Sequence, residues 1–148
     1  MPVHNSNVIQ RPYKEIEIGE TASITKSITE ADVVNFAGIT GDYNPMHVDI
    51  EYAKASMFGG RLAHGMLTAS FISTVLGTCL PGKGALYLGQ EVRFLKAVMM
   101  GDTVTASAEV IAKEDTKQIL TIKTVVTNQR NEVVVDGKAS VMIMKIKK

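Results

Sequence analysis

The sequence predicts an α+β fold: a single domain in which a curled antiparallel sheet wraps around one buried central helix. Three observations lead there. The run from Gly65 to Leu80 carries no charge and is apolar on nearly every side at helical length, so it belongs inside the protein. The chain after it alternates apolar and polar residues or is rich in β-branched ones, as half-buried strands are. At 148 residues the chain has the size of one domain with one core, and strands grouped around a single helix suit α+β rather than alternating α/β.

Taken in order, residues 1–10 carry no periodic pattern and are expected to form a flexible N-terminal segment. Tyr13 to Ser27 holds short runs broken at Gly19-Glu20, with strand-like composition over Ser23 to Ser27. Thr29-Glu30-Ala31-Asp32 has the spacing of a capping box, and Val33, Val34, Phe36 and Ala37 supply an apolar face to the helix it would start. That helix should stop between Gly38 and Gly41. Asp49 can cap a second short helix over Ile50 to Ser56, which Gly59-Gly60 would end. Beyond the apolar helix, Val104, Ala106, Ala108, Val110 and Ala112 define one strand and Ile119 to Thr127 another. Glu132 to Ile146 is the last, with Asp136-Gly137 as its expected bulge or turn. No internal repeat, linker or low-complexity segment divides the chain.

Composition narrows the function classes. Apolar residues make up 45% and charged ones 21%, an ordinary globular balance without the signature of disorder. A net charge of +1 offers no electrostatic footprint for nucleic acid, and Lys145, Lys147 and Lys148 read as a solvated strand end. Cys79 is the only cysteine. It excludes an intrachain disulfide, reads as a buried apolar thiol, and points to a reducing, cytoplasmic location. No apolar run reaches the roughly 20 residues of a membrane span, and the polar stretch Met1 to Arg11 lacks the apolar core of a secretion signal.

The chemistry-bearing feature is Phe36 to Ala53, FAGITGDYNPMHVDIEYA, which sets Asp42 and His47 five positions apart around an Asn44-Pro45 turn. A carboxylate of pKa near ~3.9 and an imidazole near ~6.5 can hold a water between them and move its protons. Pro45 restricts Asn44 to extended conformations and so sets the angle between the two. The residue types alone also fit a turn aspartate and a surface histidine. His47, His64, Asp42 and Asp49 fall within 23 residues, yet their spacing matches no zinc pattern, and no metal is expected. Gly59-Gly60 and Gly82-x-Gly84 lack the context of a phosphate loop.

The same stretch resembles the hydratase 2 motif of MaoC-like (R)-specific enoyl-CoA hydratases. Phe36, Ile39, Thr40, Gly41, Asp42, Asn44, Pro45, His47 and Ala53 fill the motif's places, and Met46 departs from its usual branched aliphatic residue. Arg61-Leu-Ala-His-Gly-Met-Leu67, Ala69-Ser70 and Ser73 look like the family's central helix and its approach. Pro81 to Gln90 with Val92 to Phe94 looks like the following strand. The similarity runs from about Ile16 onward.

What the resemblance implies is a hotdog fold over residues 1–148 and (R)-specific hydration of trans-2-enoyl-CoA to (R)-3-hydroxyacyl-CoA, or the reverse dehydration. The bulk of Met66, Leu67, Phe71 and Ile72 points to short to medium acyl chains, and a water held by two carriers on one turn points to syn addition. The resemblance also implies Asp42 and His47 as the catalytic pair and the Gly65 amide, at a helix start, as the donor to the thioester oxygen. Asn44, Ser73 and His64 would position substrate, while Arg61, Met66, Lys83 and Gln90 are candidate substrate contacts, with Arg61, Lys83 and Lys96 able to meet CoA phosphates. No cofactor is implied beyond the substrate's CoA. A homodimer or larger homo-oligomer is expected, since edge pairing between copies would cover the sheet's open edge, and no nucleic-acid or membrane partner is. Three alternatives stay open: an acyl-carrier-protein dehydratase, a hotdog thioesterase and an acyl-CoA-binding module without chemistry.

Overall fold

Thr29 opens the first long helix as its spacing requires: its side chain accepts from the Asp32 amide, and Asp32 accepts from the Thr29 amide in return. The computed structural model describes residues 8–145. In chain order these form a 3-10 turn at Tyr13–Glu15, then β1 (Thr21–Ser27), α1 (Glu30–Thr40), α2 (Pro45–Val48), α3 (Ile50–Lys54) and α4 (Gly65–Thr78), followed by β2 (Ala85–Phe94), β3 (Thr103–Glu114), β4 (Ile119–Thr127) and β5 (Val133–Ile143).

All five strands join one antiparallel sheet in the order β1-β3-β4-β5-β2. β1 and β2 are therefore its edges. On β3 the inward residues are Val104, Ala106, Ala108 and Val110. The alternation breaks at Ala112 because a bulge between Val110 and Ala112 slips the register. Leu120, Ile122 and Val126 of β4 and Val135, Ala139 and Val141 of β5 complete the inner face, on which Leu67, Ile72, Val75 and Leu76 of α4 are packed.

α4 is buried on one face only. Leu67, Thr68, Ala69, Ile72, Val75 and Leu76 lie against the sheet, while Gly65, Met66, Ser70, Ser73, Thr74 and Gly77 are exposed. The helix packs inside the curled sheet as expected, but one of its faces stays open: apart from Met66 that face is made of small or hydroxyl residues, which lack of charge alone does not distinguish from a core face.

Other expectations also shift. Asp136-Gly137 stays in register with both neighbours, and the bulges lie elsewhere. A Cβ on Gly137 would stand 1.9 Å from the Glu91 carbonyl oxygen, so this glycine permits close approach of a neighbouring strand. Cys79 is half-buried, its sulfur 3.4 Å from Thr78 Oγ1. Ile9 and Gln10 are tied down rather than loose: the Ile9 amide donates to Thr78, its carbonyl accepts from Lys83, and Gln10 bridges to Gly82. The rest of the expected flexible segment, residues 1–7, and Lys147 and Lys148 lie outside the described residues. Among those described, no helix is long and apolar enough to cross a membrane.

Candidate active site

Gly41 ends α1 in a left-handed conformation, φ +79°, and turns the chain into the segment that carries Asp42. Three short polar contacts shape that segment. Thr40 Oγ1 accepts from the Asp42 amide, Asp42 Oδ1 from the Asn44 amide, and Asn44 Oδ1 from the Met46 amide. Each is a side chain answering a backbone donor two residues on, as turn-forming residues do. The last caps α2, with Pro45 at its first turn, where a missing N–H costs nothing. His47 follows on this single helical turn.

The result is that Asp42, exposed, and His47, half-buried, come together with His64, which is 2% exposed. One ligating atom from each lies within 4.8 Å of the other two. His47 Nδ1 is 2.7 Å from the Leu62 carbonyl oxygen. Because a carbonyl only accepts, that nitrogen carries the hydrogen, and in the neutral ring Nε2 is left as a proton acceptor. His64 Nε2 likewise donates to the Asp42 carbonyl at 2.9 Å. The His64 ring also stands 4.9 Å from that of Phe36, centroid to centroid. Its Nδ1 and Thr68 Oγ1 are buried without a partner.

Spacing argued against a metal, but the fold does assemble three residues with the right donor atoms. The His47 and His64 rings are stacked, however, with planes only 26° apart. In-plane lone pairs on stacked rings run side by side instead of converging on one ion, and each ring has already committed one nitrogen to a carbonyl. The arrangement suits a water molecule and its protons better than a tetrahedral ion.

Asp42, His47, His64, Gly65 and Met66 all line one cavity of about 840 Å³, whose walls include Phe36, Phe58, Phe94 and Lys96. Gly65 is the first residue of α4, and no side chain caps that helix start, so its amide is available to a negatively charging oxygen. A Cβ here would meet the Phe94 ring at 2.9 Å. Phe58, Phe94 and Thr68 were not anticipated. Only Thr68 left a trace in the sequence, a hydroxyl one helical turn beyond His64.

The remaining candidates stand elsewhere. Ser73 and Gln90 line a second cavity of about 360 Å³, which shares Phe36 and Met66 with the first. The Gln90 amide is taken up by the protein, donating to the Glu91 carbonyl and Thr124 Oγ1 and accepting from Tyr87. Asn44 is committed to its cap. Lys83 lines a separate depression beside Arg11 and Tyr13. Arg61 is no free cation either, since its side chain is 9% exposed and bonded to the His47 carbonyl and to Glu30.

Comparison with known proteins agrees with this layout. An (R)-specific enoyl-CoA hydratase of Rhodospirillum rubrum is 44% identical over 93% of this chain and 94% of its own. One from Aeromonas caviae is 40% identical over 88% of this chain and 97% of its own. The unliganded R-hydratase PhaJ1 of Pseudomonas aeruginosa superposes with a TM-score of 0.90 at 42% identity, covering 94% of this chain and 89% of that one. The five-stranded curled sheet with its packed helix is the hotdog fold of these hydratases. Residues 11–133, which hold the Asp42–His47 turn, the start of α4 and all but the last strand, match the model of the MaoC-like domain, and the chain belongs to that family.

Proposed function

We propose that this protein adds water to trans-2-enoyl-CoA to give (R)-3-hydroxyacyl-CoA, and runs the reverse dehydration. The observation that carries the reading is the convergence of Asp42, His47 and the uncapped Gly65 amide on one cavity, in a chain whose relatives bear that activity in their names. The enoyl double bond is conjugated to the thioester, so attack at the β-carbon sends charge to the thioester oxygen, where the Gly65 amide stabilises it. His47 Nε2 receives a proton from the attacking water, and Asp42 holds that water from its other side. Of the water's two protons, one stays on the new hydroxyl and one passes through the pair to the α-carbon. The side chains thus end the turnover as they began. Both carriers approach from one side, so addition is syn.

The edge strand β2 exposes Leu86 and Leu88, and its Tyr87 lines a cavity together with Met66, Ser70 and Ser73 of the exposed face of α4. A second copy would cover both, and the proposed assembly is a homodimer. The carrier is CoA, the acyl chain short to medium and the location cytoplasmic, the last resting on the single cysteine. No cofactor enters the scheme.

Crotonyl-CoA tests it. The expected result is loss of the conjugated-enoyl absorbance without release of thiol, and nicotinamide reduction when an (R)-specific 3-hydroxyacyl-CoA dehydrogenase is coupled. Thiol release would make the protein a thioesterase; signal only with an (S)-specific dehydrogenase would overturn the stereochemistry.

A further inference from the structure

The segment Arg61–His64 runs between the Gly59-Gly60 turn and α4, and three of its residues, Arg61, Leu62 and His64, are bonded to the Asp42–His47 turn. Arg61 Nε donates to the His47 carbonyl at 2.7 Å, the Leu62 amide to the Met46 carbonyl at 3.1 Å, and His64 Nε2 to the Asp42 carbonyl at 2.9 Å. In return the Leu62 carbonyl accepts from His47 Nδ1. Two of these four bonds come from side chains whose burial has to be explained. Arg61 has a 9% exposed side chain, and a desolvated guanidinium is costly unless its donors are used. Its outer end meets Glu30 Oε1 at 2.7 Å, on a side chain that is 67% exposed, and such a pair contributes little by itself.

We propose that Arg61 and His64 are positioning residues for the hydratase reaction, each acting through the backbone carbonyl of one proton carrier, Arg61 on His47 and His64 on Asp42. The inference rests on the function proposed above. The turn needs outside support, because α2 has four residues and a helix that short cannot hold itself. Arg61 and Leu62 grip His47 at both its carbonyl and its ring, which fixes the tautomer that leaves Nε2 free. His64 fixes the other carrier and is itself the residue before Gly65, so both proton carriers and the oxyanion donor are referenced to one stretch of backbone. Arginine is required at 61 because its planar fork reaches a carbonyl and a carboxylate at once, where a lysine ammonium serves one or the other.

The test uses Arg61→Lys, His64→Phe and His64→Gln in the full chain, with two readouts. In crotonyl-CoA hydration, Arg61→Lys and His64→Phe should lower kcat by about tenfold to hundredfold, the scale of a misplacement near 1 Å, with KM within about twofold. His64→Phe keeps an aromatic ring beside His47 and Phe36 but loses the donor; His64→Gln places an amide N–H near the same carbonyl and should recover most of the loss. Nitrogen-detected imidazole NMR should give His47 as the Nδ1–H tautomer in the wild type and a mixture in Arg61→Lys. Folded Arg61→Lys and His64→Phe proteins with wild-type kcat would overturn the proposal. So would equal losses in His64→Phe and His64→Gln that track falling Tm, which would reduce His64 to packing. A wild type that leaves crotonyl-CoA untouched would sink the hydratase reading instead, and the His47 spectrum would still decide whether Arg61 holds the ring.

Discussion

The rings of His47 and His64 stack with centroids 3.8 Å apart, one half-buried and the other only 2% exposed, and both stand in the wall of one cavity. His64 Nδ1 is buried, which leaves His47 Nε2 as the imidazole nitrogen for a water in the cavity, and a ligating atom of Asp42 lies within 4.8 Å of those of both histidines. Asp42→Asn and His47→Gln are therefore each expected to lower kcat by on the order of 10²–10⁴ with the fold intact. Because the two act on one water, the double variant should be little worse than either. Steady-state kinetics on the three proteins check this, and near-normal turnover in either single variant would remove it from the mechanism.

The amide of Gly65 can be deleted without breaking the helix. It is the first residue of α4, and His64 before it has φ −58° and ψ 137°, the extended conformation that a following proline requires. Gly65→Pro should cost roughly 3 to 4 kcal/mol of transition-state stabilisation, seen as a drop in kcat of more than about a hundredfold. Gly65→Ala retains the N–H and meets only the Phe94 ring, which is 51% exposed and can turn aside. It is the control, expected to keep most activity while circular dichroism verifies both folds. Equal rates in the two variants would exclude the amide from the reaction.

Met66 and Phe36 stand in the walls of both cavities, and an acyl chain reaching from the first into the second would have to pass them. Each methylene buried is worth only about 0.8 kcal/mol, and the preference should fall gradually with length and then stop where a side chain blocks the way. Crotonyl-CoA should be a good substrate and a C16 enoyl-CoA a poor one. Met66→Ala should raise kcat/KM for eight- to ten-carbon chains relative to crotonyl-CoA, since it joins the two spaces. Wild-type preference for C16 would place the acyl chain elsewhere.

Glu132 anchors the loop that follows β2. Lys96 on the cavity wall, then Arg130 and Asn128, bond its carboxylate and hold it well below its ordinary 4.5, at about 2. A depressed acid stabilises the fold where it is ionised in both states, above about 4.5, and that contribution disappears as pH falls towards 2. Glu132→Gln should thus lower Tm at pH 7 and make almost no difference near pH 2. Thermal melts across that range check the sign; a gap that widened in acid would contradict it.

The local signals in the sequence carried the elements well. The Thr29/Asp32 capping box starts α1, Asp49 caps α3 through the Tyr52 amide, and Ile119 to Thr127 is a strand to the residue. What failed were judgements that depend on neighbours. Nothing in the composition of Gly65 to Leu80 says that Ser70, Ser73 and Gly77 face away from the sheet. Nothing near Gly137 announces that Glu91 presses on it from the adjacent strand. At the site, the proximity of Asp42 and His47 was legible because one turn holds both. The bonds that Arg61 makes were not legible because its partners, His47 and Glu30, are 14 and 31 positions away.

The strand order has a consequence for how the molecule is made. β2 precedes β3 and β4 along the chain, yet its only partner in the sheet is β5, the last strand. As the polypeptide leaves the ribosome, Leu86, Leu88 and Val92 emerge well before the residues that will shelter one side of them, and local pairing cannot hold them meanwhile. Shortening the chain before Val133 would therefore strand a segment from its middle. The C-terminal stretch is the step on which closure of the sheet waits, and an interrupted translation product would present an unpaired apolar strand where the finished protein has a ladder.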